Sequence, residues 1–134
     1  MEQAAESPFF PGRAPIDAYG NGGFRFAEMS HRGSILCLPS GIYAWPVLRF
    51  EDLSISDFNR VFGEAGDIEF LLLGCGDGLM RPSREVRDAF KDHGTGLETM
   101  GTGAAARTYN VLLGERRAVA AALIAVANPA DSRV

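Results

Sequence analysis

Residues 68–73, Ile-Glu-Phe-Leu-Leu-Leu, constrain the fold more than any other part of the sequence. Successive side chains of an extended chain point to opposite sides, and this segment is apolar on nearly both. Such a strand is typical of the covered centre of a sheet rather than of a sheet with one wet face. We therefore expect a buried central strand, in a chain whose 134 residues suffice for one domain with a single core.

The charge balance and the cysteine count exclude several classes of protein. The formal net charge is −4 and the isoelectric point is about 5.1, whereas a surface that coats nucleic acid phosphates needs a basic stripe. Two cysteines, Cys37 and Cys75, are too few for a disulfide scaffold and fit a reducing compartment. The acidic N-terminus is unlike a signal peptide, and no apolar run approaches the roughly 20 residues that span a bilayer. We expect a cytoplasmic protein with no nucleic acid partner and no membrane span.

Turn and cap residues divide the chain into short elements. Residues 1–15 are predicted to be a flexible arm and residues 128–134 a flexible tail, on either side of one domain over 16–127. β-prone segments at 24–29 and 34–38 flank Ser30, His31, Arg32 and Gly33, which predicts a hairpin that turns there. The other predicted elements are a strand at 41–45 stopped by Pro46, a helix from the cap Ser56 to Gly66, a helix at about 83–93 followed by Gly94, a strand at 97–100, and a helix capped by Thr102 that ends near Gly114.

The alanine-rich segment 118–127 fits two structures. Its alanine content, and Val119, Leu123 and Val126 at helical spacing, favour a helix. A strand of small residues would instead suit a crowded sheet. Composition alone favours the helix.

Segment 73–78, Leu-Gly-Cys-Gly-Asp-Gly, is the first candidate for chemistry, because it follows the buried strand and precedes a helix. It lacks the glycine spacing and the Lys-Ser/Thr pair of phosphate-binding loops, and Asp77 would repel a phosphate, so a structural turn is the better interpretation. Cys75 would need a base to act as a nucleophile, and nothing in the sequence places His31 or His93 beside it. The cysteines and histidines have no metal-binding spacing. We predict no catalytic residue, metal or cofactor.

The predicted helix at 102–113 carries polar residues that a core does not require. Arg107 and Asn110 are neighbours at i and i+3, able to hold a carboxylate or the backbone of a partner. The alternative is that Arg107 pairs with Glu98 or Glu115 and that Asn110 faces water. Helical spacing puts Ala104, Ala105, Thr108, Tyr109, Val111 and Leu112 on the inward face and Gly103, Arg107, Asn110 and Gly114 on the outward face.

Five groups of residues, taken in order, resemble the Mth-type domain family of unknown function. That family is similar to the mitochondrial NADH dehydrogenase (complex I) assembly factor 3 and to the adipogenesis-associated Mth-domain protein. The resemblance covers about residues 16–127 and is carried by LLLGCG at 71–76, Pro82, ETM at 98–100, TGAAARTYNVL at 102–112 and ERRAVAAAL at 115–123.

The resemblance implies a single compact α/β domain with a three-layer β/β/α arrangement, an N-terminal β-hairpin and about three helices, in which 118–127 contains a strand. It implies no established enzymatic activity: the mitochondrial relative acts through protein contacts in respiratory complex assembly, and small bacterial members lack an assigned role. The family often has an acidic residue in place of Gly101, threonine in place of Cys75 and cysteine in place of Ala106. Cys75 therefore inherits no catalytic role.

These observations together predict a bacterial, cytoplasmic, non-enzymatic interaction protein that assists assembly of a respiratory complex by binding a subunit or another assembly factor, as a monomer or weak homodimer. The alternative is a small-molecule or anion-binding protein, or an enzyme, that uses a cleft between loop 74–82 and the helix start at 101–110. A third interpretation is a structural domain that dimerises through a sheet edge or a helix face. The candidate binding surface comprises Gly74, Cys75, Gly76, Arg81, Pro82, Thr102, Arg107 and Asn110.

Overall fold

The computed structural model describes residues 7–127 and 132–134. These residues form ten β-strands and three α-helices, with short 3-10 turns at 50–52, 55–58 and 65–67. The strands are β1 (Phe10–Pro11), β2 (Ala18–Gly20), β3 (Gly23–Phe26), β4 (Met29–Arg32), β5 (Ser34–Leu38), β6 (Gly41–Trp45), β7 (Phe70–Gly74), β8 (Gly96–Met100), β9 (Val119–Leu123) and β10 (Ser132–Arg133). The helices are α1 (Asn59–Gly63), α2 (Arg84–Asp92) and α3 (Thr102–Gly114).

The strands form two sheets. The larger has the order β1-β6-β5-β9-β7-β8, and the smaller has the order β10-β2-β3-β4. β7 pairs in parallel with β8 on one side and with β9 on the other, whereas β5 pairs antiparallel with both β6 and β9. The predicted apolar strand therefore lies inside the larger sheet, with a neighbour on each side.

Both faces of the larger sheet are covered, by different layers. On one face, Leu71 and Leu73 pack into a core with residues of α1 and α2, including Val61 and Phe90. On the other face, Leu72 packs into a second core with residues of α3 and the smaller sheet. This mixed α/β domain with two sheets and three helices confirms the predicted fold class, and α3 lies on the same face of the larger sheet as the smaller sheet.

The alanine-rich segment is the strand β9, as the resemblance implied and contrary to the helix that composition favours. Ala120 and Ala122 face the core with α1 and α2, and Ala121 faces the other core. All five residues of β9 are buried. Pairing with β5 and β7 on both sides overrides the helical propensity of alanine, whose small side chain lets the layers approach closely.

An N-terminal hairpin exists, as the resemblance implied, but its turn and its second strand differ from those predicted. β3 and β4 pair with Phe26 opposite Met29, so the chain reverses at Ala27 and Glu28. These residues have φ of 51° and 61°, values at which glycine or asparagine is usual. Because neither stands at this turn, the sequence gives no local signal for it. Residues 30–32 lie within β4, and β5 belongs to the larger sheet.

The predicted helix from Ser56 to Gly66 is interrupted. A 3-10 turn at Ile55–Phe58 leads into the five-residue α1, and a further 3-10 turn follows at Ala65–Asp67. The first turn begins after Ser54, whose backbone N–H donates to Asp57 Oδ2 over 2.9 Å, rather than after Ser56. Glycines 63 and 66 weaken a continuous helix.

Apart from this interrupted helix, the elements from β6 to α3 lie close to the bounds predicted from the sequence. β6 has the predicted bounds, and β8 begins one residue earlier than predicted. Ser83 caps α2, because its Oγ accepts a hydrogen bond from the N–H of Val86 over 3.2 Å. Gly94 ends that helix with φ of 69°.

Residues near both ends of the chain pair with the sheets. Phe9 N–H donates to the Ile42 carbonyl over 2.8 Å beside β1, and β10 pairs with β2. The flexibility expected of 1–15 and 128–134 stays a prediction, and residues 1–6 and 128–131 lie outside the described residues. Within the described part of the chain, no helix has the length and hydrophobicity needed to cross a membrane.

A matched pair of glycines in α3 tests how this helix packs. A Cβ at Gly103 would collide with the Tyr19 ring of β2, whereas one at Gly114 would meet open space. We expect Gly103→Ala to lower the free energy of unfolding by about 1–3 kcal/mol through overpacking, and Gly114→Ala to change it by less than about 1 kcal/mol. Urea denaturation measures both, and equal stabilisation by the two substitutions would contradict the packing of α3 on β2.

Candidate functional site

The two glycine-rich segments of the candidate site meet directly. The Cys75 N–H donates to the Met100 carbonyl over 2.8 Å, and the Thr102 N–H donates to the Gly76 carbonyl over 2.9 Å. In return, the Gly76 N–H donates to Thr102 Oγ1 over 3.0 Å. These backbone groups have hydrogen-bond partners within the chain, so they are not free to bind a ligand.

Thr102 has a different role from the predicted helix cap. Gly101 is the N-cap of α3, and Thr102 is its first helical residue. The Thr102 side chain is fully buried, and its hydroxyl donates to the Ile124 carbonyl over 2.7 Å while it accepts from Gly76. Thr102 packs so closely against Gly74 that a Cβ at position 74 would lie 3.0 Å from Thr102 Cα, and this contact favours glycine there. We call these four residues, Gly74, Gly76, Thr102 and Ile124, the Thr102 join.

Removal of the Thr102 hydroxyl tests the join. In Thr102→Val the shape is kept, but the Gly76 amide and the Ile124 carbonyl each lose a partner. We expect a loss of about 2–4 kcal/mol in the free energy of unfolding, because buried polar groups without partners are costly. Thr102→Ser keeps the hydroxyl and should cost clearly less. Equal losses in urea denaturation would show that the hydroxyl is not what matters.

Asn110 binds this chain's own backbone. Its Oδ1 accepts from the Ile16 N–H and its Nδ2 donates to the Ile16 carbonyl, each over 2.8 Å. With Gly103 against Tyr19, this means that the segment preceding and including β2 covers much of the α3 face that was predicted to point outward. The predicted inward face needs a correction too, because Val111 is 60% exposed and Ala106 is fully buried.

Arg107 is the polar side chain of α3 that remains exposed. Among the described residues, no ion pair joins it to Glu98 or Glu115, the two partners considered from the sequence. Asn110, with which Arg107 was predicted to form a binding pair, has both side-chain polar atoms hydrogen-bonded to the Ile16 backbone. The structure therefore does not bring Arg107 and Asn110 together as one polar grip.

Cys75 is 5% exposed, and its surroundings favour the thiol over the thiolate. Burial raises the pKa of Cys75, against the lowering effect of its hydrogen bonds with the backbone of Met80 and Met100. The two histidines have other contacts: His31 lies against the Phe9 ring, and His93 stacks on Phe62 at 4.0 Å between ring centroids. Within the described part of the chain, no three potential ligands are grouped to hold a metal ion.

Buried ionisable groups predict a loss of stability at high pH. Burial raises the pKa values of Cys37 and Tyr109 well above their ordinary ranges, so both stay protonated in the folded state while the unfolded chain ionises. The stabilisation from keeping these groups protonated is therefore fully present below their pKa values in the unfolded chain. It is lost as the pH rises above those values. From pH 8 to 10, Cys37 alone should remove about 2 kcal/mol from the free energy of unfolding.

Urea denaturation across this pH range measures the effect, and Cys37→Ala is the control. This variant should be less stable at pH 8, but its stability should fall less between pH 8 and 10. A wild-type stability that does not change between pH 8 and 10 would show that Cys37 is not shielded from ionisation in the folded state.

A groove of about 290 Å³, with both polar and apolar residues in its lining, lies beside the Thr102 join. We call it the apolar groove after the exposed apolar side chains around it. Cys75, Met80 and Ile124 line it together with Leu48 and Phe50, which come from the segment after β6. Three large apolar side chains at or next to the groove are solvent-exposed: Leu48 by 70%, Leu79 by 72% and Met80 by 39%. The sequence prediction included Cys75 and Gly76 of this lining but missed the exposed apolar side chains, for which apolar residues outside any predicted helix or strand were the available signal.

A second groove, of about 450 Å³, lies between α2 and β8. Its lining includes three cationic side chains, Arg81, Arg87 and Lys91, and no acidic residue is among the described residues that line it. We call it the basic groove. A third groove, of about 440 Å³, lies on the smaller sheet, where Arg25 and Arg32 contribute to its lining.

The eight predicted site residues thus fall into separate places. Gly74, Gly76 and Thr102 belong to the join, and Cys75 and Gly76 also line the apolar groove. Arg81 and Pro82 line the basic groove, and Arg107 and Asn110 lie on α3 as described. The structure brings the two glycine segments together, but it does not place all eight residues around one cavity.

The fold and these surfaces define a small mixed α/β domain with two grooves beside one buried hydrogen-bonded join. The chain belongs to the family described as protein of unknown function (DUF498/DUF598), whose model matches residues 16–124. A solved Bordetella pertussis structure described as a Mth938-like domain is 26% identical, with a TM-score of 0.76 over 96% of this chain and 94% of that chain. The resemblance to Mth-type domains is therefore confirmed.

Two further relatives are more similar in sequence. A Bartonella henselae structure described as that of an outer membrane protein is 56% identical, with a TM-score of 0.84 over 87% of this chain and 98% of that chain. The zebrafish (Danio rerio) NADH dehydrogenase [ubiquinone] 1 alpha subcomplex assembly factor 3 is 34% identical over 118 residues, 88% of this chain and 67% of the factor. This chain spans between 57% and 67% of the length of the animal assembly factors that it matches.

Proposed function

We propose that this protein is a non-enzymatic, cytoplasmic interaction protein that assists assembly of a respiratory NADH dehydrogenase complex. The observation that carries the proposal is the apolar groove with Leu48, Leu79 and Met80 exposed around it. The relatives named as NADH dehydrogenase assembly factors supply the class of partner.

Exposed apolar side chains gathered at one groove are typical of a surface that another protein covers. Leu79 and Met80 lie on the loop that leaves the Thr102 join, and Gly76 at its start has φ of 104°. The unbranched side chain of Met80 adapts to differently shaped partners. Arg49, Glu51 and Asp77 add charges to the lining, in keeping with an apolar contact that has polar groups around it.

The chemistry of the groove supports binding rather than catalysis. Cys75 lies in its wall, but its sulfur lies 3.7 Å from the carbonyls of Leu73 and Met80, and its raised pKa keeps the weaker nucleophile, the thiol. The contacts of His31 and His93 are with Phe9 and Phe62, away from the groove lining. The anion-binding alternative would use the backbone amides at the start of α3, and that of Thr102 already donates to the Gly76 carbonyl.

Deletion of the gene in the native host, followed by complementation, tests the proposal. We expect deletion to reduce the amount of fully assembled NADH dehydrogenase complex, measured by native gel electrophoresis with an in-gel activity stain. The wild-type gene should restore it. Leu79→Ser/Met80→Ser should restore less than half, because the partner loses two apolar contacts.

The matched control is Val111→Ser, which removes from α3 an apolar side chain whose exposed fraction, 60%, lies between those of Leu79 and Met80. It should restore assembly like the wild type. The melting temperatures of all variants should agree to within about 4 °C, since exposed substitutions change stability little. Unchanged assembly after deletion would contradict the role in the complex, and full restoration by the double variant would contradict the role of the groove.

A further inference from the structure

We infer that the basic groove is a second interaction surface, which binds an extended acidic peptide segment of a partner protein. The segment adds as a strand to the outer edge of β8, and its carboxylates meet Arg81, Arg87 and Lys91. This surface is distinct from the apolar groove, so the inference stands or falls independently of the proposed role in assembly.

The topology provides an edge for strand addition. β8 is the last strand of the larger sheet, and it pairs in parallel with β7 from Phe70 opposite Gly96 to Gly74 opposite Met100. Its other edge has no partner strand among the described residues. Backbone N–H and C=O groups at such an edge are free to pair with a further strand.

The charges of the groove select an acidic partner. Arg87 and Lys91 lie four residues apart on α2, and therefore on one face of the helix. Arg87 Nε donates to the Pro82 carbonyl over 3.2 Å, which holds its guanidinium beside the loop that carries Arg81. Three cations line one groove in a chain whose net charge is −4, so the positive charge there is local.

The floor of the groove suits alternate side chains of an extended peptide. Phe90 and Leu97 provide an apolar base, and Thr99 provides a hydroxyl next to the cations. Gly96 at the start of β8 is exposed, so a neighbouring strand can reach the backbone there. Backbone pairing along β8 and carboxylates over the cations therefore act together on the same segment.

The same charges disfavour two other occupants. A second copy of this chain paired edge to edge through β8 would bring its own three cations towards these three, and like charges oppose that pairing. A nucleic acid would meet a chain with net charge −4, whose three groove cations are few compared with a basic stripe. An acidic peptide segment needs only the local charge and the strand edge.

The experiment is an NMR titration of the full ¹⁵N-labelled chain with a blocked heptapeptide of alternating glutamate and threonine. We expect shifts in the amide signals of β8 and α2, and weaker binding as the salt concentration rises. A heptapeptide with lysine in place of glutamate should not bind. Two versions of the acidic peptide are also tested, one with the backbone nitrogens of the odd-numbered residues methylated and one with those of the even-numbered residues. One of the two should bind about tenfold more weakly, because its methyl groups remove the N–H groups that bond to β8.

Charge-reversal variants test the groove itself. Arg81→Glu/Lys91→Glu changes two exposed side chains and keeps Arg87 with its bond to Pro82; it should lose binding of the acidic peptide at least tenfold and gain binding of the lysine peptide. The matched control, Arg25→Glu/Arg32→Glu on the smaller sheet, should bind the acidic peptide as the wild type does. Unchanged amide dispersion shows that each variant is folded.

Several results would overturn the inference. Loss of binding in the control variant but not in the groove variant would place the site on the smaller sheet. If both methylated peptides bound as tightly as the unmethylated acidic peptide, and citrate shifted the same amide signals, the groove would be an anion site without strand addition. Shifts of β8 and α2 signals by single-stranded oligothymidylate at lower concentrations than by the peptide would favour a nucleic acid.

Discussion

The structure depends on one buried hydroxyl, that of Thr102. It accepts from the Gly76 N–H and donates to the Ile124 carbonyl, so a single oxygen holds the loop after β7, the start of α3 and the residue after β9. The Ile124 N–H in turn donates to the Gly74 carbonyl over 3.1 Å. The Thr102 hydroxyl and its bond to Ile124 are buried and Gly76 is half-buried, so these groups need their partners, and the three segments keep one relative arrangement.

This arrangement determines where the two grooves lie. The loop after Gly76 begins at a fixed point and carries Leu79, Met80 and Arg81 before Ser83 caps α2. Its first half therefore borders the apolar groove and its second half borders the basic groove. A polar contact inside the chain thus positions the exposed side chains that we assign to binding.

Local sequence patterns predicted those parts of the fold that local physics controls. The apolar run of β7, the helix at about 83–93 followed by Gly94, and the strand stopped by Pro46 all agree with the structure. The hairpin turn at Ala27 and Glu28 was not predictable in this way, since tertiary pairing holds two non-glycine residues at positive φ. The strand β9 was not predictable from composition either, because its stability comes from β5 and β7.

The candidate site was less predictable than the fold, because its residues come together through distant parts of the chain. Asn110 meets Ile16 across 94 positions, and Thr102 meets Gly76 across 26, so neither contact has a local signal. Thr102 and Asn110, both in the motif that carries the resemblance, are used to hold the chain's own backbone. A resemblance carried by such residues predicts the fold well and the partner poorly. Leu48, Leu79, Arg87 and Lys91 lie outside that motif, and they belong to the two surfaces that we propose for partner binding.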